Sequence, residues 1–372
     1  MARDRPLDGQ PLRYTSVMGL YRRAVLPCIQ RLDPESSHAL TLTLAHRISQ
    51  VPGALPLVRA FAGAPDPALA FTWRGLTFRS PIGLAAGADK NAVAPRFFHA
   101  LGAGFIEIGT VTLAPQPGNP RPRVHRLPRQ HALVNRLGFP SHGAARVAQR
   151  LSRLRLGGTP IGVNIGKNAA TPLADAARDY AACLQVLYPC GDYFTVNVSS
   201  PNTEGLTTLQ SRSQLGALLS HVALARATLP GATTPKPILV KISPDLSLPD
   251  LDSVLDIVLE HGLDGIIATN TSVDPALRDA ASSKLAGGLS GPALLPKSLA
   301  AVWRLRQRAP RDLLIVGVGG ISTADDAWAM LQAGANAVQL YTALVYEGPG
   351  LIGAINRGLT ERVRLAGLPQ AI

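Results

Sequence analysis

The sequence predicts an α/β protein: a closed (β/α)8 barrel preceded by a two-helix extension. Short apolar or β-branched runs recur eight times, helix-like stretches separate most of them, and polar residues cluster where the runs end. Strands that are apolar along their whole length are typical of a parallel sheet covered by helices. Eight such units favour a closed barrel over an open sheet. We place the extension at residues 1–65 and the barrel at residues 66–372.

The extension is predicted to contain two amphipathic helices. The second begins at Asp33-Pro34, where an N-cap precedes a proline at the first helical position. Such helices form either a packed cap or a surface that dips into a bilayer, and composition leaves both open. Residues at helical spacing mark the two helices: Val17, Leu20, Tyr21, Ala24 and Val25 for the first, and Leu40, Leu44 and Ile48 for the second.

The barrel elements follow in chain order. Residues 69–81, with Arg74-Gly75 near the turn, predict a hairpin that closes the bottom of the barrel. Helices are expected between most of the strands, for example at 213–229, 248–261 and 298–308. The predicted strands are 82–87, 105–112, 161–166, 193–199, 238–243, 265–271, 313–320 and 337–342.

One uncharged stretch, residues 327–346, is long enough to span a membrane. Polar residues such as Gln332 and Asn336, together with Gly334, interrupt it. A helix, a glycine turn and a strand explain this pattern better. We therefore predict no transmembrane segment.

Composition narrows the possible classes of function. The net charge is +13, and nine arginines but no acidic residue lie between Thr112 and Arg155. Such a block suits nucleic acid, anionic lipid or an anionic substrate, and a solvated basic face explains it equally well. The three cysteines form no CxxC pair, which indicates a reducing compartment. The histidine spacing predicts no metal site.

Neutral hydrogen-bonding side chains at the strand ends are the first candidates for binding or reacting with a ligand. The fourth strand finishes in Asn197-Val-Ser-Ser200, with Asn202 soon after. In a barrel these ends converge on the face where catalytic residues lie. The amides of Asn135, Asn197, Asn202 and Asn270 match the alternating C=O and N–H edge of a cyclic imide or ureide. The Ser200 hydroxyl could move a proton, although an unassisted alcohol is a weak base.

Charged and glycine-rich strand ends predict anion binding. Lys90 follows the first strand and Lys241 ends the fifth. A lysine in a barrel mouth can pair with an anion, form a Schiff base or stabilise a developing negative charge. Residues 317–326, GVGGISTADD, place glycines before a Ser/Thr helix cap, which suits a phosphate. The loops after strands seven and eight are the usual phosphate site of barrels.

These residues resemble a known family, the quinone-linked, membrane-associated class of dihydroorotate dehydrogenases. The resemblance runs from about Leu32 to about Gly350, and the order of its motifs is highly specific. The motifs are GLAAGADK (83–90), IEIGTVT (106–112), PQPGNPRPR (115–123), NRLGF (135–139), NIGKN (164–168), NVSSPNTEGL (197–206), ATNT (268–271), GGLSG (287–291) and IVGVGGI (315–321).

The resemblance implies an FMN-binding barrel that oxidises (S)-dihydroorotate to orotate in de novo pyrimidine synthesis. Ser200 would take the proton from C5 while a hydride leaves C6 for flavin N5; the soluble classes use cysteine there. Lys90 would hold the substrate carboxylate, and Lys241 would stabilise the anionic reduced flavin near its N1 side. The other implied substrate residues are Asn135, Arg136, Leu137, Gly138, Phe139, Asn197, Asn202, Asn270 and Thr271. The implied FMN contacts are Ala86, Gly87, Ala88, Asp89, Lys90, Thr110, Asn164, Asn197, Lys241, Thr269, Gly291, Gly320, Tyr341 and Thr342.

The same resemblance implies an electron acceptor and a location. A membrane quinone, either ubiquinone or menaquinone, would enter a tunnel formed by the extension, with His38 near it and Arg126 opposite. The chain would be a peripheral protein on the cytoplasmic face of a bacterial cell membrane, where basic residues supplement apolar insertion. We expect a monomer that binds no nucleic acid.

Two other functions compete with this one. A flavin barrel that acts on RNA uridine, resembling dihydrouridine synthases, would explain the basic block 112–155. Such enzymes look cysteine-dependent and carry a separate RNA-binding domain, and neither feature is present in the sequence. A non-catalytic basic protein held on a membrane by residues 1–65 would have no need of Ser200 or Lys90.

Overall fold

The centre of the molecule is a closed barrel of eight parallel strands, the (β/α)8 or TIM barrel that the sequence predicts. The structure is a computed structural model that describes residues 18–231 and 234–366. The last barrel strand pairs with the first, and the barrel closes. Every predicted strand is present, and each ends slightly earlier than predicted. Among the polar residues, Thr110, Asn164, Asn197 and Lys241 lie in the last residues of their strands, whereas Ser200 and Asn270 lie just beyond theirs. The strands are Ile82–Leu84, Phe105–Val111, Ile161–Ile165, Tyr193–Asn197, Ile238–Ile242, Gly265–Ala268, Leu314–Val318 and Ala337–Leu340.

Large apolar side chains fill the bottom of the barrel. Phe105 and Tyr193 belong to a buried cluster that also contains Phe78 of the hairpin Phe71–Trp73 and Leu76–Phe78. The rings of Phe78 and Phe105 pack edge to face with centroids 5.3 Å apart. A Cβ on Gly162 would lie 2.0 Å from the Tyr193 ring, so glycine there leaves room for the aromatic layer. The hairpin closes the barrel bottom, as predicted.

Helices cover the outside of the barrel. The stretch 327–346 forms the end of one helix, a turn at Gly334 and a strand, as predicted. No helix among the described residues is both long enough and apolar enough to cross a membrane. The helices are Pro95–Ala100, Ala144–Ser152, Ala176–Leu187, Arg212–Ala227, Leu248–Glu260, Leu295–Arg308, Ala324–Gln332, Thr342–Glu347 and Leu351–Ala366.

The extension contains one helix more than the sequence predicts. A π-helical turn, Tyr21–Val25, runs into Leu26–Gln30, and Pro34–Gln50 follows. The Asp33 carboxylate caps Pro34–Gln50 by accepting the Ser36 N–H at 2.8 Å. Val17 of the first predicted helix lies outside the described residues. The unpredicted helix is Ala54–Ala62; it is only nine residues long and carries a proline near its start.

A second sheet that the sequence does not predict lies outside the barrel. Its antiparallel strands are Val124–Leu127, Ala132–Asn135 and Gly288–Ser290. The first of them contains His125 and Arg126 and lacks the apolar run that marks the barrel strands. This sheet brings the basic block and the GGLSG motif together.

Candidate active site

A cavity of about 120 Å³, which we call the inner cavity, lies at the C-terminal ends of the barrel strands. Residues from separate loops converge there because parallel barrel strands all point their carboxyl ends to one face. Ser200, Lys90 and Lys241 line it together. The other predicted site residues in its wall are Ala86, Gly87, Thr110, Asn135, Leu137, Gly138, Phe139, Asn197, Asn202, Asn270, Thr271 and Tyr341.

Ser200 is buried and faces the inner cavity from the loop after the fourth strand. It is 5% exposed, and its Oγ accepts the backbone N–H of Asn202 at 3.3 Å. No histidine or carboxylate is among the described residues of the cavity wall. Proton exchange with a ligand in this wall is therefore left to its hydroxyl groups, of which Ser200 is one, and to Lys90 and Lys241.

Two polar atoms in the inner cavity have no partner. Asn202 Oδ1 and Thr271 Oγ1 are buried and make no hydrogen bond with any residue that the structure describes. The Asn202 amide is oriented by its own Nδ2, which donates to Asn135 Oδ1 at 3.2 Å. The Asn270 Nδ2 donates to Ser199 Oγ at 2.9 Å. A buried polar atom left unpaired costs about 1–3 kcal/mol, so these atoms fit a ligand with complementary N–H and C=O groups.

A buried hydrogen-bond network supports this wall from below. Asn197 Nδ2 donates to Thr110 Oγ1 at 2.9 Å and to Asn164 Oδ1 at 3.0 Å. Asn164 Nδ2 in turn donates to Glu107 Oε1 at 2.8 Å. Glu107 and Thr110 are three apart on one strand, and the strand has an irregular register between Ile108 and Val111, which allows both side chains to join the network. The network fixes the amide orientations before any ligand binds.

Glu107 lies in the barrel interior and was not predicted from the sequence. It is fully buried, and its Oε2 accepts hydrogen bonds from Gln339 Nε2 at 2.9 Å, Thr195 Oγ1 at 3.2 Å and Tyr193 OH at 3.3 Å. The feature of the sequence that could have indicated Glu107 is a single carboxylate within an otherwise apolar strand. Such a residue is rarely buried without a network of donors.

Lys241 presents a cation with no close partner. It is 5% exposed and makes no hydrogen bond or ion pair with the described residues. Burial lowers the pKa of Lys241, and the charge of Glu107 partly opposes that shift. Such a group stabilises negative charge that develops on a bound molecule.

Lys90 lies at the edge of the inner cavity. Its Nζ donates to the carbonyl of Gly87 at 2.7 Å. Burial lowers the pKa of Lys90 to about 8, whereas the charges of Glu35 and Asp89 favour its protonated form. The Asp89 carboxylate accepts the N–H groups of Val93 and Ala94, both at 2.8 Å, and burial raises its pKa. Lys90 is thus available to an anion.

A larger cavity of about 500 Å³ lies beside the inner cavity, at the ends of the seventh and eighth strands. The predicted residues Gly291, Gly320, Tyr341 and Thr342 line it. A Cβ on Gly320, whose φ is +79°, would lie 2.4 Å from the Leu295 nitrogen, so only glycine fits there. Gln339 Oε1 in the same wall is buried and unpaired. Thr323 caps the following helix in a capping box with Asp326, which confirms the predicted cap.

A third cavity, also about 500 Å³, runs between the extension and the barrel, and we call it the tunnel. Its wall is mostly apolar. His38 and Arg126 both face it; the Arg126 guanidinium donates to the Leu32 carbonyl at 2.8 Å and to Ser37 Oγ. Burial and the charge of Lys90 lower the pKa of His38 to about 3, so its imidazole is neutral. The tunnel shares Lys90, Val124, Leu133, Leu137 and Tyr341 with the inner cavity.

Four predicted site residues lie away from the three cavity walls. The Arg136 side chain donates to the Pro122 carbonyl at 3.1 Å. Asp89 and Asn164 lie behind the wall in the contacts described above. Thr269 Oγ1 lies 3.2 Å from Ser298 Oγ. Side-chain contact with a ligand in these cavities is therefore not expected for these four, and their predicted roles remain predictions.

Comparison with known proteins agrees with this geometry. The dihydroorotate dehydrogenase family profile matches residues 68–363. The chain is 45% identical to the dihydroorotate dehydrogenase (quinone) of Deinococcus deserti, covering 94% of this chain and 97% of the relative. It is 47% identical to the protein of the same name from Acidithiobacillus ferrooxidans, covering 88% and 92%. The crystal structure of ligand-free DHODH from Eimeria tenella superimposes with a TM-score of 0.81 at 37% identity, covering 91% and 97%. The chain belongs to the dihydroorotate dehydrogenase (quinone) family.

Proposed function

We propose that this chain oxidises (S)-dihydroorotate to orotate with a bound FMN and passes the electrons to a membrane quinone, as a step of pyrimidine biosynthesis. The observation that carries the proposal is the convergence of Ser200, Lys90 and two unpaired polar atoms on one small cavity that shares a wall with an apolar tunnel. Family membership favours this function over the RNA-directed alternative.

The inner cavity supplies each group that the pyrimidine ring would need. Lys90 pairs with the substrate carboxylate as a point charge. Asn202 Oδ1 and Thr271 Oγ1 gain their missing partners from the ring N–H and C=O groups. Ser200 Oγ takes the proton from C5, in a cavity whose described wall contains no histidine or carboxylate and whose two lysines serve as charged groups. Burial of this wall excludes bulk water from the reacting atoms.

The residues around the inner cavity and the larger cavity at the ends of the seventh and eighth strands suit FMN. The glycines at 291 and 320 leave room for a phosphate at the strand ends, and Gln339 Oε1 awaits a donor. The unpaired Lys241 suits the N1 side of a flavin ring. Tyr341 lines all three cavities, which supports a role for it beside a flavin ring that reaches from one cavity to the next. FMN, when bound, accepts the hydride that leaves C6 of the substrate.

The tunnel suits an isoprenoid quinone, either ubiquinone or menaquinone. Its apolar wall accommodates the tail, and the neutral His38 and the charged Arg126 offer hydrogen bonds to a carbonyl head group. Leu40 and Leu44 are 50% and 49% exposed on the helix that forms the tunnel, which supports peripheral contact with a membrane. We assign this contact to the cytoplasmic face as part of the proposal. The proposal needs only one copy of the chain, because a single protomer supplies all three cavities.

Anaerobic mixing tests both halves of the proposal. The purified protein should be yellow and release FMN on denaturation, and dihydroorotate should bleach it. Added quinone should then restore the colour. A colourless preparation, or one that bleaches but is reoxidised by fumarate or NAD⁺ and not by quinone, would refute the respective half.

A further inference from the structure

Glu35 lies on the tunnel helix, Pro34–Gln50, and lines the tunnel, and its carboxylate pairs with Arg123 of the loop 115–123. Arg123 holds it in a two-point ion pair, with Nε to Oε2 at 3.0 Å and Nη2 to Oε1 at 2.5 Å. Both partners are largely buried, with 18% of the Glu35 side chain and 6% of the Arg123 side chain exposed. Buried fork-shaped pairs of this kind fix geometry strongly.

Arg123 also stabilises the loop 115–123 by hydrogen bonds to its backbone. Its Nη1 donates to the carbonyls of Pro117 at 2.6 Å and Asn119 at 2.7 Å. Asn119 Nδ2 then donates to the carbonyls of Asn202 and Arg136, both at 2.9 Å. Asn202 carries one of the unpaired atoms of the inner cavity. A continuous chain of hydrogen bonds thus connects the tunnel helix to the substrate wall.

Glu35 and Lys90 line the same cavity, the tunnel, where the carboxylate favours the protonated amine. The charged groups around Lys90 are Glu35 and Asp89, which favour the protonated amine, and Arg123, which disfavours it; His38 lies nearby in its neutral form. Glu35 is the stronger of the two carboxylate influences. Loss of its charge removes that attraction and leaves the Arg123 cation unneutralised, and both changes lower the pKa of Lys90.

We propose that Glu35 is a positioning residue for dihydroorotate: it holds Asn202 in place through Arg123 and Asn119, and its carboxylate faces the same cavity as Lys90. This inference rests on the proposed function, in which Lys90 pairs with the substrate carboxylate. The inference assigns a residue of the tunnel helix a role in the oxidation of dihydroorotate, and not only in the reduction of the quinone.

The test is the affinity of the holoenzyme for orotate between pH 6 and pH 9, together with the KM and kcat for dihydroorotate. Glu35→Gln should raise KM at least about tenfold at neutral pH, the size expected from one lost charge-assisted hydrogen bond, with a smaller change in kcat. In the wild type, orotate binding should weaken as pH rises through about 8, where Lys90 loses its proton. In Glu35→Gln the same decline should begin at lower pH.

Two further variants separate the contributions. Asn119→Ala breaks the chain without changing charge, so it should raise KM but leave the pH midpoint of orotate binding where it is. Arg121→Ala removes the other cation that contacts Glu35, at 3.1 Å and 65% exposed, and should change neither quantity.

The outcomes distinguish the inference from the function on which it rests. If Lys90→Met leaves orotate affinity unchanged, the proposed substrate site is wrong. If Lys90→Met abolishes binding while Glu35→Gln folds and keeps the wild-type KM and pH midpoint, only the role of Glu35 is refuted. If Glu35→Gln does not fold, a wild-type KM for dihydroorotate in Asn119→Ala refutes the positioning role of Glu35.

Discussion

Replacing Ser200 by alanine should abolish rapid proton removal and leave the protein folded. The Ser200 Oγ makes one hydrogen bond to the described residues, a long one of 3.3 Å from the Asn202 N–H. Its loss should therefore lower the free energy of unfolding by only about 1 kcal/mol. A positioned proton acceptor contributes about 10²- to 10⁴-fold to a rate, equivalent to about 3–5 kcal/mol of barrier. The kinetic effect should thus greatly exceed the effect on stability.

Anaerobic stopped-flow bleaching of the flavin by dihydroorotate measures this step directly. Ser199→Ala is the matched control, because Ser199 is fully buried, donates to Asn197 Oδ1 at 3.1 Å and accepts from Asn270, yet does not line the inner cavity. We expect it to lose more stability than Ser200→Ala but less than about tenfold in bleaching rate. Bleaching of Ser200→Ala at the wild-type rate, with FMN bound, would refute the assignment.

Three other substitutions test neighbouring parts of the structure. Lys241→Met should lower the midpoint potential of the bound flavin by about 30 mV or more, equivalent to tenfold for two electrons, because the unpaired cation stabilises the reduced form; an unchanged potential in spectroelectrochemistry contradicts this. Ala45→Phe, at a buried position of the tunnel, should raise the KM for quinone about tenfold and leave the bleaching rate unchanged. Leu40→Phe, at an exposed position, should leave both the KM for quinone and the bleaching rate unchanged. Gly162→Ala should destabilise the barrel by about 1–3 kcal/mol in denaturant titrations, because its Cβ would lie 2.0 Å from the Tyr193 ring.

The barrel and much of its active face were predictable because one physical rule governs both. A strand buried on both sides is apolar until it reaches the mouth, so the position where polarity begins marks the site. Asn197 and Lys241 were found in this way, and both line the inner cavity. Glu107 was not, because it lies within its strand, where only the three-dimensional partners explain a carboxylate.

Features that depend on contacts between distant segments were also beyond the sequence. The outer sheet pairs Ala132–Asn135 with Gly288–Ser290, which lies far from it in the chain. Its third strand, Val124–Leu127, lacks an apolar run, and the other two have only four and three residues. Asn119 contacts Asn202 across 83 positions, and neither residue type nor spacing indicates such a pair.

The shared wall between the tunnel and the inner cavity explains why the extension cannot be regarded as a separate membrane anchor. Lys90 and Tyr341 face both cavities, and Glu35 of the tunnel helix lines the tunnel with Lys90 and favours its protonated form. Deleting the extension would therefore remove the tunnel, expose Lys90 to water and release the loop 115–123 at the same time. A loss of both half-reactions in such a deletion would not count against a tunnel, whereas a point change such as Ala45→Phe acts on the tunnel alone. Because the two sites have a common wall, only substitutions of single side chains can show which half-reaction each residue serves.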